Sequence, residues 1–413
     1  MSSPATSRFE PTKQPPFRSL RLGLPFGAVM ATGGAAQLAG ACGLPGATRP
    51  LLWLALAEAG WIAGRGLVRH RNDLRLPTSD WAAIGPPSEH TGALTVPLGV
   101  AVVATGLSTQ PGPARVLGAA LVVLAWLSTV VFATRFSVSA ARRSVVTAVD
   151  GGWFLAPAAL LGAGIAAGAY AGQALGLLGE ILRWAALLAA GIGLLGYWAV
   201  AVIVALAIPR RGLGQGKRVL WWIAAGCGGL AAAAVGRALS AGGPWPAEVV
   251  ALAHGAAIVT WSFAALLVVP ILTASMRFLV VLARDRRIER TAPWPPTFST
   301  AVFALGALGT AKMLDLAAVA DVGKVAAAAT LALWVATAAL HASRLLPSPP
   351  RTRRSDVRRA RPASDHEPIS AGEPASDHEP ISAGEPDSAG AGSAIPLRSG
   401  SKLAFGEDPQ VDT

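Results

Sequence analysis

The chain has 413 residues, 53% of them hydrophobic and only 14% charged, with a mean hydropathy of +0.49. That balance excludes a soluble enzyme and is far too long an apolar content for a single anchor, so the chain reads as a polytopic membrane protein. A formal net charge of +12 would suggest nucleic acid if it lay on a soluble domain. Here Lys and Arg lie in the connections between apolar runs, where they set membrane topology, and no nucleic-acid partner is expected.

Residues 1–23 carry prolines and polar side chains without an apolar core of their own, and read as a cytoplasmic segment rather than a signal peptide. The run 24–44, LPFGAVMATGGAAQLAGACGL, carries no charge. At about 1.5 Å per helical residue it is roughly 30 Å long, the thickness of a bilayer's hydrocarbon core. Thr32, Gly33, Gly34 and Gln37 interrupt its apolar character and suit a face turned toward other helices or water. Leu38-Ala39-Gly40-Ala41-Cys42 approximates a lipoprotein cleavage box, but Ala39 stands where such boxes prefer Leu. Cys42 and Cys227 lie inside apolar runs and form neither a disulfide framework nor a metal cluster, so both read as packing residues.

Nine further apolar segments follow, at about 49–67, 91–109, 115–134, 150–171, 181–208, 219–241, 249–271, 298–320 and 322–341. An even total puts both ends on one side. Basic residues gather before the first span (Arg8, Lys13, Arg18, Arg21) and in every second connection after it. Those connections hold Arg69, Arg71 and Arg75; Arg135, Arg142 and Arg143; Arg210, Arg211, Lys217 and Arg218; and Arg277, Arg284, Arg286, Arg287 and Arg290. The alternate connections hold little beyond Arg49, Arg115, Arg183 and Lys324. This bias places both termini in the cytoplasm. Short external links imply antiparallel neighbours, so the spans pair as five hairpins, with the odd-numbered spans all running outward.

Residues that break or loosen helices concentrate in those odd spans. Gly33 and Gly34 stand in the first, Pro97 and Gly99 in the third, Pro157, Gly162 and Gly164 in the fifth, Gly226, Gly228 and Gly229 in the seventh, and Gly306 and Gly309 in the ninth. Broken helices at membrane depth are tolerated where they face protein or a wet cavity, so the odd spans are expected to form an inner ring around a central pore. The competing reading is that glycine permits close helix packing, as in pairs such as Gly60 and Gly64.

Beyond 343 the composition turns to Pro, Ser, Arg and acidic residues. Arg351, Arg353, Arg354, Arg358, Arg359 and Arg361 form a basic cluster suited to anionic headgroups. PASDHEPISAGE then occurs twice in tandem, at 362–373 and 374–385. Residues 344–413 therefore read as a disordered cytoplasmic tail, in which His366 and His378 are more simply solvated than metal-bound.

No catalytic constellation, phosphate loop or zinc-type spacing is present in the sequence, so neither enzyme activity nor a cofactor or metal is expected. Ionisable residues inside spans are costly and become candidates by that cost. Arg237 and Lys312, late in the seventh and ninth spans, would lie in the outer half of the membrane and draw anions to a pore mouth. Alternatively, Lys312 pairs with Asp315 and Arg237 snorkels to the interface. Glu58 and His254, on outer-ring spans, read as structural hydrogen-bonding residues, with proton coupling as the alternative. Thr32, Thr95, Ser128, Thr129 and Thr260 are expected to satisfy carbonyls of their own helices.

Three stretches carry a family resemblance. Pro25-Phe26-Gly27-Ala28-Val29-Met30-Ala31-Thr32-Gly33-Gly34, Trp153-Phe154-Leu155-Ala156-Pro157, and the ninth-span start from Trp294 through Pro295, Pro296 and Phe298 to Phe303 resemble segments of the tellurite-resistance/dicarboxylate transporter family. That family includes a bacterial tellurite resistance protein, fungal malate permeases and plant slow anion channels. The resemblance covers 24–341 and implies an all-α fold of ten transmembrane helices, as five hairpins around a central pore, in a protein that is often a homotrimer. It also implies a phenylalanine gate on the ninth helix, Phe298 first and Phe303 second, although Thr300 stands where the family has a second aromatic or a proline. A phenyl ring in a narrow apolar pore blocks hydrated ions by dewetting; packing in the core or against lipid is the alternative role.

The expected function is thus passage of small anions such as C4-dicarboxylate, sulfite or tellurite across the plasma membrane. A proton-coupled exporter is the alternative within transport, and a membrane enzyme or scaffold the alternative outside it.

Overall fold

The computed structural model describes residues 23–70, 91–141, 151–211, 221–284 and 294–345. Residues 1–22 of the expected N-terminal segment, the arginine cluster beyond Arg344, the tail repeat with His366 and His378, and most of the long basic connections lie outside the described residues, whereas Arg69, Arg135, Arg210, Arg211, Arg277 and Arg284 of those connections fall within helices.

Among the described residues there are ten α-helices. They are α1 (Gly23–Ala41), α2 (Pro45–His70), α3 (Thr95–Leu107), α4 (Pro113–Ala141), α5 (Leu155–Ala171), α6 (Gly176–Arg211), α7 (Trp222–Ser240), α8 (Ala247–Arg284), α9 (Trp294–Leu314) and α10 (Ala317–Leu345). Short 3₁₀ turns, Gly92–Leu94 and Gly151–Phe154, lead into α3 and α5. Seven stretches are long and apolar enough to cross a membrane, namely α4, α5 with its leading turn, and α6 to α10. The chain is a multi-pass membrane protein. The first three helices stand outside that set: α3 has only 13 residues, α2 carries Arg49, Glu58 and Arg65, and the apolar character of α1 is diluted by Thr32, Gln37 and its glycines.

The links after α1, α3, α5, α7 and α9 are two to six residues long. Each has one residue in the left-handed region at or beside it: Gly43, Gly112, Gly176 and Gly242 at four of them, and Asp315, with φ 53°, at the fifth. Reversal within so few residues needs that conformation, which glycine adopts without a Cβ clash. After α9 the Leu316 N–H donates to the Ala311 carbonyl at 3.1 Å, closing the helix five residues back. The ninth apolar run therefore ends at Leu314 rather than near 320, because the apolar residues 316–320 belong to the turn and the first turn of α10.

Packing follows a regular circuit. α1 lies against α3, α3 against α5, α5 against α7, α7 against α9, and α9 against α1, while each even helix lies along the odd helix before it. Burial divides the same way. In the apolar stretches of α5 and α7, 83% and 72% of residues are buried, against 22% in α4 and α8 and 17% in α10. The outer helices instead expose large side chains such as Leu127, Leu195, Leu266 and Val325, as lipid contact requires.

The glycines of the odd helices act by close approach. A Cβ on Gly229 would stand 2.5 Å from the Phe303 Cα, and one on Gly306 would run into the Gly229 carbonyl, so α7 and α9 touch backbone to backbone. Gly33 likewise admits Val102 of α3, and Gly34 admits Ala301 of α9. Pro97 and Pro157 are each the third residue of an α-helix. Their missing N–H groups belong to a first turn that cannot be fully bonded, so the expected mid-span breaks are helix starts.

Four smaller expectations also change. Cys42 is exposed in the link after α1, whereas Cys227 is buried. Ser128 and Thr95 do bond carbonyls within their own helical segments, at 2.6 and 2.7 Å. Thr32 and Thr260 instead accept indole N–H bonds from Trp334 and Trp198, each at 3.1 Å, and so tie helices together. Thr129 is buried with its hydroxyl unpartnered.

Candidate functional site

A cavity of about 1100 Å³ lies among the odd helices. All five contribute to its wall: Gly34 and Gln37 from α1, Val102 and Thr105 from α3, Gly162 and Ile165 from α5, Leu230 and Arg237 from α7, and Val302 and Lys312 from α9. Small and apolar residues make the deep part. The last turns of α1, α3, α7 and α9 and the start of α2 make the mouth.

The cavity wall of α9 runs Val302, Leu305, Gly309, Lys312, a spacing of three and four residues that keeps one helix face. Phe298 continues that face one turn further down. It is only 3% exposed, and its ring edge lies 4.0 Å from where a Cβ on Gly34 would stand. Because Gly34 is itself part of the wall, Phe298 lies next to the deep end of the cavity without lining it. Phe303 points elsewhere: its ring stacks on Trp261 of α8, with centroids 5.6 Å apart and planes 17° apart. It borders a separate apolar cleft of about 570 Å³ between α7, α8, α9 and α10. The two phenylalanines are five residues apart, which on a helix sends them to different faces.

Three cations and no carboxylate line the cavity: Arg49, Arg237 and Lys312. Arg237 is half-buried in the last turn of α7. Its stem lies over Gly168 of α5, where an added Cβ would stand 3.2 Å from the Arg237 Cγ, and its Nε is buried without a partner. Lys312 is exposed, in the last turn of α9. No ion pair joins it to Asp315; the acid ends the helix in the left-handed conformation instead. Arg49 stands exposed near the start of α2. From sequence it was only a stray charge in an external connection, and nothing in the local pattern ties it to α7 or α9.

Polar side chains complete the wall. The Gln37 amide donates from Nε2 to the Val102 carbonyl at 3.0 Å, bridging α1 and α3. Thr105 donates to Ala101 O at 2.9 Å and Ser240 to Arg237 O at 3.0 Å. Thr105 and Gln110 are wall residues that sequence reading passed over, although Thr105 shares a face with Val102 at helical spacing.

Glu58 and His254 are not wall residues. Thr32 reaches Glu58 Oε1 at a long 3.5 Å, while Glu58 Oε2 is buried without a partner. Together with the Trp334 bond, this makes a small network among α1, α2 and α10. Of the residues expected to bend pore helices, Gly34 lies on the cavity wall, whereas Gly33, Gly306, Pro97 and Pro157 serve helix contacts and helix starts.

Compared with known proteins, the chain matches the sequence model of the voltage-dependent anion channel family over residues 25–342. No curated protein matches it.

Proposed function

We propose that this chain, which belongs to the voltage-dependent anion channel family, passes small anions across the plasma membrane through the space enclosed by its odd-numbered helices. One observation carries the reading. The cavity draws its wall from all five odd helices and presents Arg49, Arg237 and Lys312 without a carboxylate, and the buried Phe298 packs near Gly34 of that wall. Cations without counter-charges lining a concave space raise the local concentration of anions, and an apolar ring below them can close the path by dewetting.

In this reading the ten helices of residues 24–343 all belong to the membrane domain, as five hairpins around a pore. Residues 1–23 and 344–413 are cytoplasmic, in keeping with the strongly basic connections on that side. The cavity then opens outward. Phe298 is the gate, and Arg237 and Lys312 attract the anion. C4-dicarboxylate, sulfite and tellurite are the substrates the family resemblance puts first, and assembly as a homotrimer follows from the same resemblance. Proton coupling through Glu58 or His254 is less well supported, since neither side chain reaches the cavity wall.

The test is flux in proteoliposomes containing the full chain, against a panel of chloride, nitrate, sulfite, malate and tellurite, with and without a pH gradient. Uptake of one or more anions that follows their electrochemical gradient supports the conduit. Flux that requires the pH gradient supports the exporter, and absence of flux for every anion removes the transport reading.

A further inference from the structure

We infer that Gln37 sets which anions leave the cationic mouth for the apolar depth of the pathway, by replacing part of their hydration with an amide N–H. This rests on the anion-conduit reading above and adds a selectivity residue to it.

An anion moving inward must exchange water for hydrogen-bond donors. The hydroxyls on the wall have largely committed theirs. Thr48 donates to Leu44 O at 3.1 Å, Thr105 to Ala101 O at 2.9 Å, Thr109 to Gly106 O at 3.0 Å, and Ser240 to Arg237 O at 3.0 Å. Each hydroxyl has a single hydrogen, so in these positions all four turn only lone pairs toward the cavity. The donors left among the wall side chains are the three cations and the amides of Gln37 and Gln110. Gln110 lies in the link after α3, at the mouth, and spends one N–H on Thr109 Oγ1 at 3.3 Å.

Gln37 is placed differently. It lies one helical turn from Gly34, hence about 4.5 Å along the axis of α1 from the residue that abuts Phe298. Around and below it the wall is Gly34, Ala101, Val102, Gly162, Leu230 and Val302, which offers no side-chain donor. One of its two amide hydrogens is fixed on the Val102 carbonyl at 3.0 Å. That bond holds the amide across the α1–α3 seam and leaves the second N–H for a ligand. A held donor discriminates, because its distance to the anion does not adjust to each ion's size and hydration.

The test compares wild type with Gln37→Met, which keeps the length and removes the donor, and Gln37→Asn, which keeps the amide and shortens its reach. The readout is the chloride-to-thiocyanate permeability ratio from reversal potentials. A hydrogen bond to a charged group is worth a factor of about ten, so Gln37→Met is expected to lower the ratio about tenfold in favour of the weakly hydrated thiocyanate. Gln37→Asn should fall between. A ratio within twofold of wild type in a variant that elutes and melts like wild type overturns the inference while leaving the conduit standing. Wild-type protein that passes none of the panel anions overturns both, and wild-type protein that passes panel anions but neither chloride nor thiocyanate overturns this inference alone. Should the variants fail to fold, the side-chain amide resonance of ¹⁵N-labelled wild type decides: it should move on addition of chloride and not of gluconate, and no movement overturns the assignment.

Discussion

Replacing Arg237 by Gln removes one wall charge while keeping a polar side chain of similar reach, and the size of the effect follows from the cavity. In a sphere of the observed 1100 Å³, a central anion lies about 6.4 Å from the wall, where one cation contributes roughly 0.6 kcal/mol in a water-like dielectric. Screening changes that figure in a defined way. At about 10 mM salt the Debye length is about 30 Å and roughly 0.5 kcal/mol survives, a factor of about 2.5 in local anion concentration; at about 0.15 M it is about 8 Å and roughly 0.3 kcal/mol survives, a factor of about 1.6. Flux measured below saturation, per folded molecule, should fall by those factors at the two salt concentrations. Lys324→Gln serves as the control, because that lysine pairs with Asp321 at 3.1 Å on the exposed start of α10 and is not a wall residue. A loss of equal size at both ionic strengths, or no loss in correctly folded protein, would show that Arg237 does not act on the anion through its field.

The two phenylalanines of α9 should separate. Phe298→Ala is expected to raise anion flux several-fold, because it removes the ring next to the deep end of the cavity, whereas Phe303→Ala should leave flux per folded molecule unchanged and lower stability by about 3 kcal/mol through the lost stack on Trp261. Thermal denaturation in detergent alongside the flux assay distinguishes them, and an unchanged flux in Phe298→Ala with a wild-type melt removes that residue from the gate. Gly306→Val should abolish monodisperse expression, since even a Cβ there meets the Gly229 carbonyl; size-exclusion chromatography of the purified variant checks it.

Much of the fold was legible because bilayer crossing leaves a strong mark on sequence. Apolar runs, short alternate links and the Lys and Arg bias required no knowledge of side-chain contacts. The inner role of the odd helices was legible too, though for a different reason than expected. Pro97 and Pro157 do not break helices; they start them, because each follows a 3₁₀ turn that no residue pattern announced. Gly229 and Gly306 mark backbone contact between α7 and α9, not pore-facing kinks. At the site, Arg237 and Lys312 stood out because charge inside an apolar run is costly. Arg49 and Thr105 did not, since an arginine in a loop and a threonine in a helix are ordinary until α1, α3, α7 and α9 are brought together. Phe298 and Phe303 could be told apart only by helical phase, which needs the true start of α9 at Trp294.

The wall cations also have a task that their attraction for anions alone does not describe. Four odd helices, α1, α3, α7 and α9, border the cavity with residues at or beside their C-terminal ends. Each such end carries a partial charge of about −0.5, together about −2, and the start of α2 at the same mouth returns about +0.5, so about −1.5 faces an incoming ion. Arg237 and Lys312 stand in the last turns of α7 and α9, where they offset that field before they attract anything. Neutralising both should therefore do more than multiply two single losses into a factor of about six. With Arg49 alone against the helix ends, the mouth becomes net negative at low salt. The double variant Arg237→Gln/Lys312→Gln is expected to shift the reversal potential in a potassium chloride gradient toward the cation, and more so as ionic strength falls. If the reversal potential stays at the wild-type value while flux drops by the product of the single effects, the helix ends exert no field at the cavity and the cations act as independent attractors.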